Sequence, residues 1–116
     1  MEARAISKYI RQSPQKMRLV IDEIRGKNVN DAYAILQFSK KRAATAIDKT
    51  LRSAVANARD KADQAGEFVD VDELFVKEAY VDQGPYYKRW RAAAMGRPAP
   101  IRRPTAHVTV VVDTKE

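Results

Sequence analysis

Residues 74–112 read LFVKEAYVDQGPYYKRWRAAAMGRPAPIRRPTAHVTVVV, and this stretch decides the fold. Its first eight residues, from Leu74 to Val81, alternate between two faces in the manner of a strand. At the other end, Val108, Val110 and Val112 fall on one face of a second strand, and the residues between them fall on the other. Two strands joined in this way predict a long β-hairpin, with a protruding arm over about residues 78–106.

The segment between these strands, residues 84–103, has an unusual mixture of side chains. Tyr86, Tyr87 and Trp90 stand among arginines, without an acidic neighbour. Aromatic rings beside cations suit stacking on bases and pairing with phosphates. If each arm has roughly 14 residues and rises about 3.3 Å per residue, the hairpin reaches about 45 Å. An arm of that length has no core of its own, so a partner is needed to order it.

Three helices are predicted before the hairpin. The first has Ser13 at its N-cap and Pro14 at its first position, and Gly26 lies where a C-terminal cap belongs. Asn30 is predicted to cap the second helix, and Ser39 a third that covers about residues 40–64. In the first and third helices the apolar residues recur every three or four positions, as on one face of a helix. The first helix has Met17, Val20, Ile21 and Ile24, and the second has Tyr33, Ile35, Leu36 and Phe38. The third has Ala43, Ile47, Leu51, Ala54, Val55, Ala58 and Ala62.

The order of these elements gives the fold class. Residues 4–10 alternate loosely and predict a short first strand, which precedes the helices. We therefore expect an α+β fold, with three helices packed on a small antiparallel sheet and a long protruding β-hairpin. A chain of 116 residues fits one domain, so residues 1–116 are predicted to form a single unit that includes the arm.

Charge indicates the class of partner. The chain has 22 Lys and Arg against 15 Asp and Glu, a formal net charge of +7, which favours a polyanion such as nucleic acid. The signs are segregated: residues 83–112 hold six Lys or Arg and no acid, whereas residues 59–82 hold eight acids and three bases. Lys16 and residues 40–42 are cations at predicted helix starts, where the helix dipole repels positive charge. An external anion bound there would offset this electrostatic cost.

The sequence offers no enzyme site. Cysteine is absent, and His107, the one histidine, stands in a valine-rich strand without an evident triad partner. Asp70, Asp72 and Glu73 lack the spacing of a calcium loop and predict a solvated turn. We expect no catalytic residue, metal, cofactor or small-molecule substrate. The absence of a signal-peptide core or a long apolar run predicts an intracellular, soluble protein with no membrane partner.

Three stretches resemble a known family. These are Arg11-Gln-Ser-Pro-Gln-Lys-Met-Arg-Leu-Val with Ile24-Arg-Gly-Lys, then Lys40-Lys-Arg-Ala-Ala with Ser53-Ala-Val-Ala-Asn-Ala, and finally Val76-Lys-Glu-Ala-Tyr-Val-Asp-Gln-Gly-Pro with Lys88-Arg, Gly96-Arg and His107-Val-Thr-Val-Val-Val. Together they resemble the universal family of bacterial large-subunit ribosomal protein number twenty-two, over about residues 3–112. The family usually has Pro and Arg where this chain has Ala92 and Ala93, so one cation is missing at the tip.

The resemblance implies a structural constituent of the large ribosomal subunit in the cytoplasm. Such a protein binds the large-subunit (23S) rRNA and supports early subunit assembly. Its hairpin tip lines the polypeptide exit tunnel near the macrolide site, beside the fourth large-subunit protein and the nascent polypeptide. Carried over by position, and with the charge pattern, the expected rRNA-binding residues are Arg4, Arg11, Lys16, Arg18, Lys40, Lys41, Arg42, Lys88, Arg89, Arg91, Arg97, Arg102, Arg103 and His107. The expected tunnel tip is Tyr87, Lys88, Arg89, Trp90 and Arg91.

Two other interpretations stay open at the level of sequence. One is a basic regulatory protein that binds RNA or DNA, although no helix-turn-helix pattern is evident. The other is an enzyme with rRNA as substrate, for which a cofactor motif is missing.

Lys16 and Arg18 are expected to project from the solvent side of the first helix, since they lie off its apolar stripe.

Overall fold

The computed structural model describes residues 2–92, 96 and 98–114, without the side chains of residues 89, 91, 92 and 99–102. The helices are α1 (Pro14–Ile24), α2 (Val29–Phe38) and α3 (Ala43–Gln64), and a short 3-10 helix spans Val71–Glu73. The strands are β1 (Ala3–Ile10), β2 (Leu74–Gln83), β3 (Tyr87–Ala92), β4 (Pro98–Arg103) and β5 (Ala106–Thr114). Three helices packed on a small antiparallel sheet, with a β-hairpin, confirm the α+β prediction.

The main sheet has the order β1-β5-β2, and both pairings are antiparallel. Val108, Val110 and Val112 are fully buried beneath the helices, as the alternation predicts. Thr109, on the other face of β5, is buried as well. It pairs with Ile6 on one side and Tyr80 on the other, because β5 is the central strand.

Helix α3 packs against β1 through the apolar stripe predicted from its spacing. Every member of that stripe is buried, and most are alanines, which allow the helix to approach the sheet closely. Thr50 interrupts the stripe with a buried hydroxyl. That hydroxyl donates to the carbonyl of Ala46 at 2.9 Å and lies 2.7 Å from the hydroxyl of Ser7 on β1, so its burial leaves no unpaired polar atom.

Two helix starts differ from the prediction. Asn28, not Asn30, is the N-cap of α2, because the helix begins at the fully buried Val29. The Asn30 side chain instead donates to Asp72 at 2.6 Å. Ser39 ends α2 with an extended backbone, and its hydroxyl accepts from the N–H of Lys41, so α3 begins later, at Ala43.

The start and end of α1 were predicted correctly. Ser13 is its N-cap and Pro14 its first residue, although the Ser13 side chain makes no cap hydrogen bond. The helix ends beside Gly26, which adopts φ +80° and donates its N–H to the carbonyl of Val76 at 2.9 Å. Glycine suits this position because L side chains rarely adopt that φ. The bond ties the end of α1 to β2.

Arg18 of α1 and Arg25, which directly follows this helix, cover the outer edge of β2. Both Nε and Nη2 of Arg18 donate to the carbonyl of Val81, at 3.1 and 3.0 Å. Arg25 donates in the same way to the carbonyl of Ala79, at 3.0 and 2.7 Å. Arg18 is exposed, as predicted, but its guanidinium also turns back to a carbonyl that an edge strand leaves unpaired.

Strands β3 and β4 form a second, two-stranded sheet that continues the hairpin beyond the main sheet. The two parts meet at Gly84, whose N–H donates to the carbonyl of Thr105 at 2.9 Å, while the Thr105 hydroxyl donates to the carbonyl of Pro85 at 2.6 Å. A Cβ on Gly84 would overlap the Thr105 hydroxyl, which explains the glycine. With this extension, the longest axis of the molecule is 66 Å.

The register of the distal sheet corrects the expected position of the tip. Tyr87 pairs with Arg103 and Ala92 pairs with Pro98, so the chain reverses between Ala92 and Pro98. Tyr87 and Lys88 consequently lie at the end of β3 that is farthest from the reversal. The sequence analysis expected both residues at the tip, because the sequence of residues 84–103 does not indicate which residues of the two strands pair.

Candidate nucleic-acid interface

An open cavity of about 800 Å³ lies where α1, α3 and the foot of the distal hairpin meet. We call it the α1–α3 cavity. Four segments contribute: the turn between β1 and α1, the exposed side of α1, the start of α3 with the two residues before it, and the first residue pair of the distal sheet with Pro104. The lining consists of Arg11, Gln12, Ser13, Lys16, Leu19, Lys41, Arg42, Ala43, Tyr87, Arg103 and Pro104.

The lining of the α1–α3 cavity is strongly cationic. Five of its side chains carry positive charge, and no acidic residue stands among the described residues that line it; the cations are Arg11, Lys16, Lys41, Arg42 and Arg103. They come from places as distant in sequence as positions 11 and 103. A concave surface lined by charge of one sign focuses the field and attracts counter-charged ligands. The tertiary structure therefore collects five of the predicted rRNA-binding residues at one site.

Two helices begin at this cavity. The first turn of α1 contains no acidic residue, and its N-cap side chain makes no cap hydrogen bond. The same holds for α3, whose N-cap is Arg42. Lys16 and Arg42 therefore stand near the positive ends of two helix dipoles. An anion seated here would interact favourably with both the side chains and the dipoles.

The cavity also has an apolar wall, which the sequence prediction missed. Leu19 is 58% exposed and lies off the apolar stripe of α1, whose members are buried. Half-buried Tyr87 stands at the foot of β3, where the guanidinium of Arg11 lies 5.5 Å from the centre of its ring. An off-stripe leucine on an otherwise polar helix face was the available signal for this wall.

His107 lies outside this cavity, on β5. Its Nδ1 accepts a 3.1 Å hydrogen bond from the backbone N–H of Tyr9, and the two rings meet edge to face with centroids 5.0 Å apart. Because Nδ1 is an acceptor, the neutral ring carries its proton on Nε2. His107 thus positions β1, and its contact with rRNA stays a prediction.

The remaining predicted rRNA-binding residues are dispersed. Arg4 is exposed on β1, and Lys40 is exposed just before α3. Lys88 and Trp90 are exposed on β3, and Trp90 is 65% accessible, so it does not join the core. Arg97 lies outside the described residues, as does Ala93, and so do the side chains of Arg89, Arg91 and Arg102.

Acidic side chains act elsewhere on the surface. Asp22 pairs with Arg25 at 2.8 Å, and Asp48 pairs with Arg52 at 3.0 Å. The Lys77 ammonium donates to Glu2 at 2.9 Å, and this hydrogen bond together with the carboxylate charge raises the pKa of Lys77. These pairs are exposed, so each contributes little to stability. They also leave the α1–α3 cavity with an uncompensated positive field.

The acidic turn at Asp70, Asp72 and Glu73 includes a 3-10 helix that one of its own side chains caps. The Asp70 carboxylate accepts from the N–H of Asp72 at 3.0 Å and caps the 3-10 helix. Over the described ranges, no group of His, Asp and Glu is arranged to hold a metal ion. In the same part of the chain, none of the helices has both the length and the apolar character that crossing a membrane requires.

Comparison with known proteins gives one consistent result. The family model described as Ribosomal protein L22p/L17e matches residues 5–113. The chain is 51% identical over 116 residues to the large ribosomal subunit protein uL22 of Bifidobacterium longum (strain DJO10A), covering 100% of this chain and 98% of that protein. It is 53% identical over 115 residues to the protein of the same name from Syntrophus aciditrophicus (strain SB), with 99% and 100% covered.

Proposed function

The chain belongs to the ribosomal protein L22p/L17e family and is a structural constituent of the large ribosomal subunit, not an enzyme; from this premise we propose that it binds the large-subunit (23S) rRNA through the α1–α3 cavity and the hairpin. The observation that carries the proposal is the convergence of five cations on one concave surface without an acidic side chain in its described lining. Phosphate contacts position a protein on RNA and dominate its affinity.

The hairpin supplies a second part of the interface. It extends the molecule to 66 Å, and its exposed Trp90 has no core to enter. Exposing so large an apolar ring to water is unfavourable, and stacking on a base would remove that cost. We infer that the hairpin inserts into rRNA. The resemblance to the family adds that its tip lines the exit tunnel, where it meets the nascent polypeptide and the fourth large-subunit protein.

A role in early subunit assembly is consistent with this shape. The cationic cavity lies at the foot of the distal hairpin, whereas the exposed Trp90 lies farther along it, so one molecule offers two surfaces to rRNA. A protein that contacts distant rRNA segments reduces the conformational entropy still to be lost when the subunit folds. This role is expected to depend on both surfaces together.

Filter binding of the purified chain to large-subunit rRNA tests the proposal. Wild type should bind large-subunit rRNA more tightly than small-subunit rRNA at constant magnesium and salt. Lys41→Gln combined with Arg42→Gln should weaken binding, because both residues line the cavity. Lys49→Gln with Arg59→Gln is the matched control, since these cations are exposed on α3 and lie outside the lining of the cavity. Equal loss in both double variants would mean that net charge, not the cavity, determines binding.

A further inference from the structure

We propose that the α1–α3 cavity holds one unpaired nucleotide of the rRNA, with its base against Leu19 and Tyr87 and its phosphate on the surrounding cations. This inference rests on the proposed function and adds the form of RNA that this surface accepts. It is a specific claim, because a protein can bind RNA through phosphates alone, without receiving any base.

The shape of the site favours a single extruded group over a double helix. The cavity is concave and has a volume of about 800 Å³. Sites for small molecules typically have about 300–1,000 Å³, which suits a nucleotide. An RNA duplex presents its phosphates along a convex surface, so it would contact the rim and leave the interior empty. An unpaired nucleotide can turn out of its stack and enter.

The lining matches the two halves of a nucleotide. Leu19 places an apolar side chain, 58% exposed, on a wall that otherwise carries cations. Tyr87 lines the same cavity, with the Arg11 guanidinium 5.5 Å from its ring centre. A base would bury Leu19 and stack on the platform that the tyrosine and the arginine form. Phosphate binding by itself would not need these apolar surfaces.

The phosphate has a defined place as well. Lys16, Lys41 and Arg42 line the side of the cavity at which α1 and α3 begin. These cations oppose the dipoles of their own helices, and a phosphate between them would reverse that repulsion. The apolar side chains and the cations thus line the same cavity. A nucleotide requires this arrangement, because it has an apolar base and a charged phosphate.

Chemical probing of the complex between the full chain and large-subunit rRNA tests the inference. Dimethyl sulfate and a carbodiimide together report the exposed pairing edges of all four unpaired bases, and hydroxyl radicals report the backbone. Wild type should protect one unpaired base within a protected backbone segment. Leu19→Ala should restore reactivity of that base while the backbone stays protected, and Tyr87→Leu should do the same with about tenfold weaker binding.

Phe68→Ala is the matched control, since Phe68 is 91% exposed and lies outside the cavity. This variant should protect the same base as wild type. If the backbone is protected but no base responds to Leu19→Ala, the nucleotide inference is overturned and the proposed function stands. If wild type protects no backbone at all, both are overturned. Leu19 is exposed and alanine favours helices, so loss of folding does not confuse the result.

Discussion

The backbone N–H of Tyr9 donates a 3.1 Å hydrogen bond to Nδ1 of His107, and Tyr9 adopts φ +60°, a conformation that L side chains rarely adopt. The same contact coincides with a shift in the β1–β5 register between Ser7 and Ile10. The histidine therefore stabilises a strained turn of β1, just before Arg11 enters the α1–α3 cavity. A change at this turn is expected to be transmitted to the position of Arg11.

Tyr9→Gly and Tyr9→Ala separate the backbone strain from the ring contact. Both variants lose the edge-to-face contact with His107, but only glycine adopts φ +60° without steric cost. Tyr9→Gly should be more stable than Tyr9→Ala by about 1 kcal/mol in urea unfolding. Equal stability, or a more stable alanine variant, would mean that the turn relaxes and stores no strain.

Arg18 and Lys16 lie close together on α1, but Arg18 should contribute to stability and Lys16 to rRNA binding. Arg18→Ala removes two donors to the Val81 carbonyl and should reduce the free energy of unfolding by about 1–2 kcal/mol. Lys16→Ala should change stability by less than about 0.5 kcal/mol, because its side chain is exposed. In filter binding, Lys16→Ala should weaken the rRNA complex. A stable Arg18→Ala variant would show that water replaces the guanidinium at no cost.

Gly84→Ala should destabilise the junction between the two parts of the hairpin. The new Cβ would overlap the Thr105 hydroxyl, which is buried and already bonded to Pro85. We expect a loss of about 1–3 kcal/mol in thermal or chemical unfolding. In a Thr105→Ala background the overlap disappears, so Gly84→Ala should cost clearly less there. The same cost in both backgrounds would place the strain elsewhere.

The salt dependence of rRNA binding should indicate how many phosphates the cavity contacts. Binding of wild type to large-subunit rRNA should weaken as salt rises, because each phosphate contact releases counterions. Lys41→Gln with Arg42→Gln should reduce the log–log slope by about 0.7 for each lost contact if the bound strand is single, at constant magnesium. An unchanged slope would remove these two residues from the interface, even if affinity falls.

Shortening the hairpin should separate its tip from the rest of the molecule. Replacing residues 90–100 with the two-residue turn Asn-Gly leaves the pairs from Tyr87 with Arg103 to Arg89 with Ile101, so the α1–α3 cavity should persist and the melting temperature should stay unchanged. Ribosomes that carry this variant should assemble but differ in macrolide inhibition or in stalling of nascent chains. Identical inhibition and stalling would contradict a tip in the tunnel, whereas failed assembly would make the tip an anchor.

Local patterns in the sequence determined the helices, the strands and the sign of the charge expected on the partner. Ser13-Pro14 and Gly26 marked α1, the alanine-rich stripe marked α3, and alternation marked β5, because these signals depend on residues a few positions apart. Charge segregation favoured a polyanion such as nucleic acid without any knowledge of the fold, and the resemblance to a ribosomal family narrowed this prediction to rRNA. The error at Asn30 arose because Asn28 was an equally suitable cap, and the error at Ser39 arose because the N-cap of α3 is Arg42, a residue type that gives no capping signal.

Only the tertiary structure decided which of these residues meet. Arg11 and Arg103 are far apart in sequence, yet the pairing of the hairpin and the packing of α1 and α3 bring both to one cavity. Arg18 is the solvent-exposed cation that the sequence predicts, but only the tertiary structure shows that its guanidinium also donates to the Val81 carbonyl at the edge of β2. Register moved Tyr87 from the expected tip to the foot of the hairpin. Such placements depend on long-range pairing and burial, which short-range periodicity does not encode.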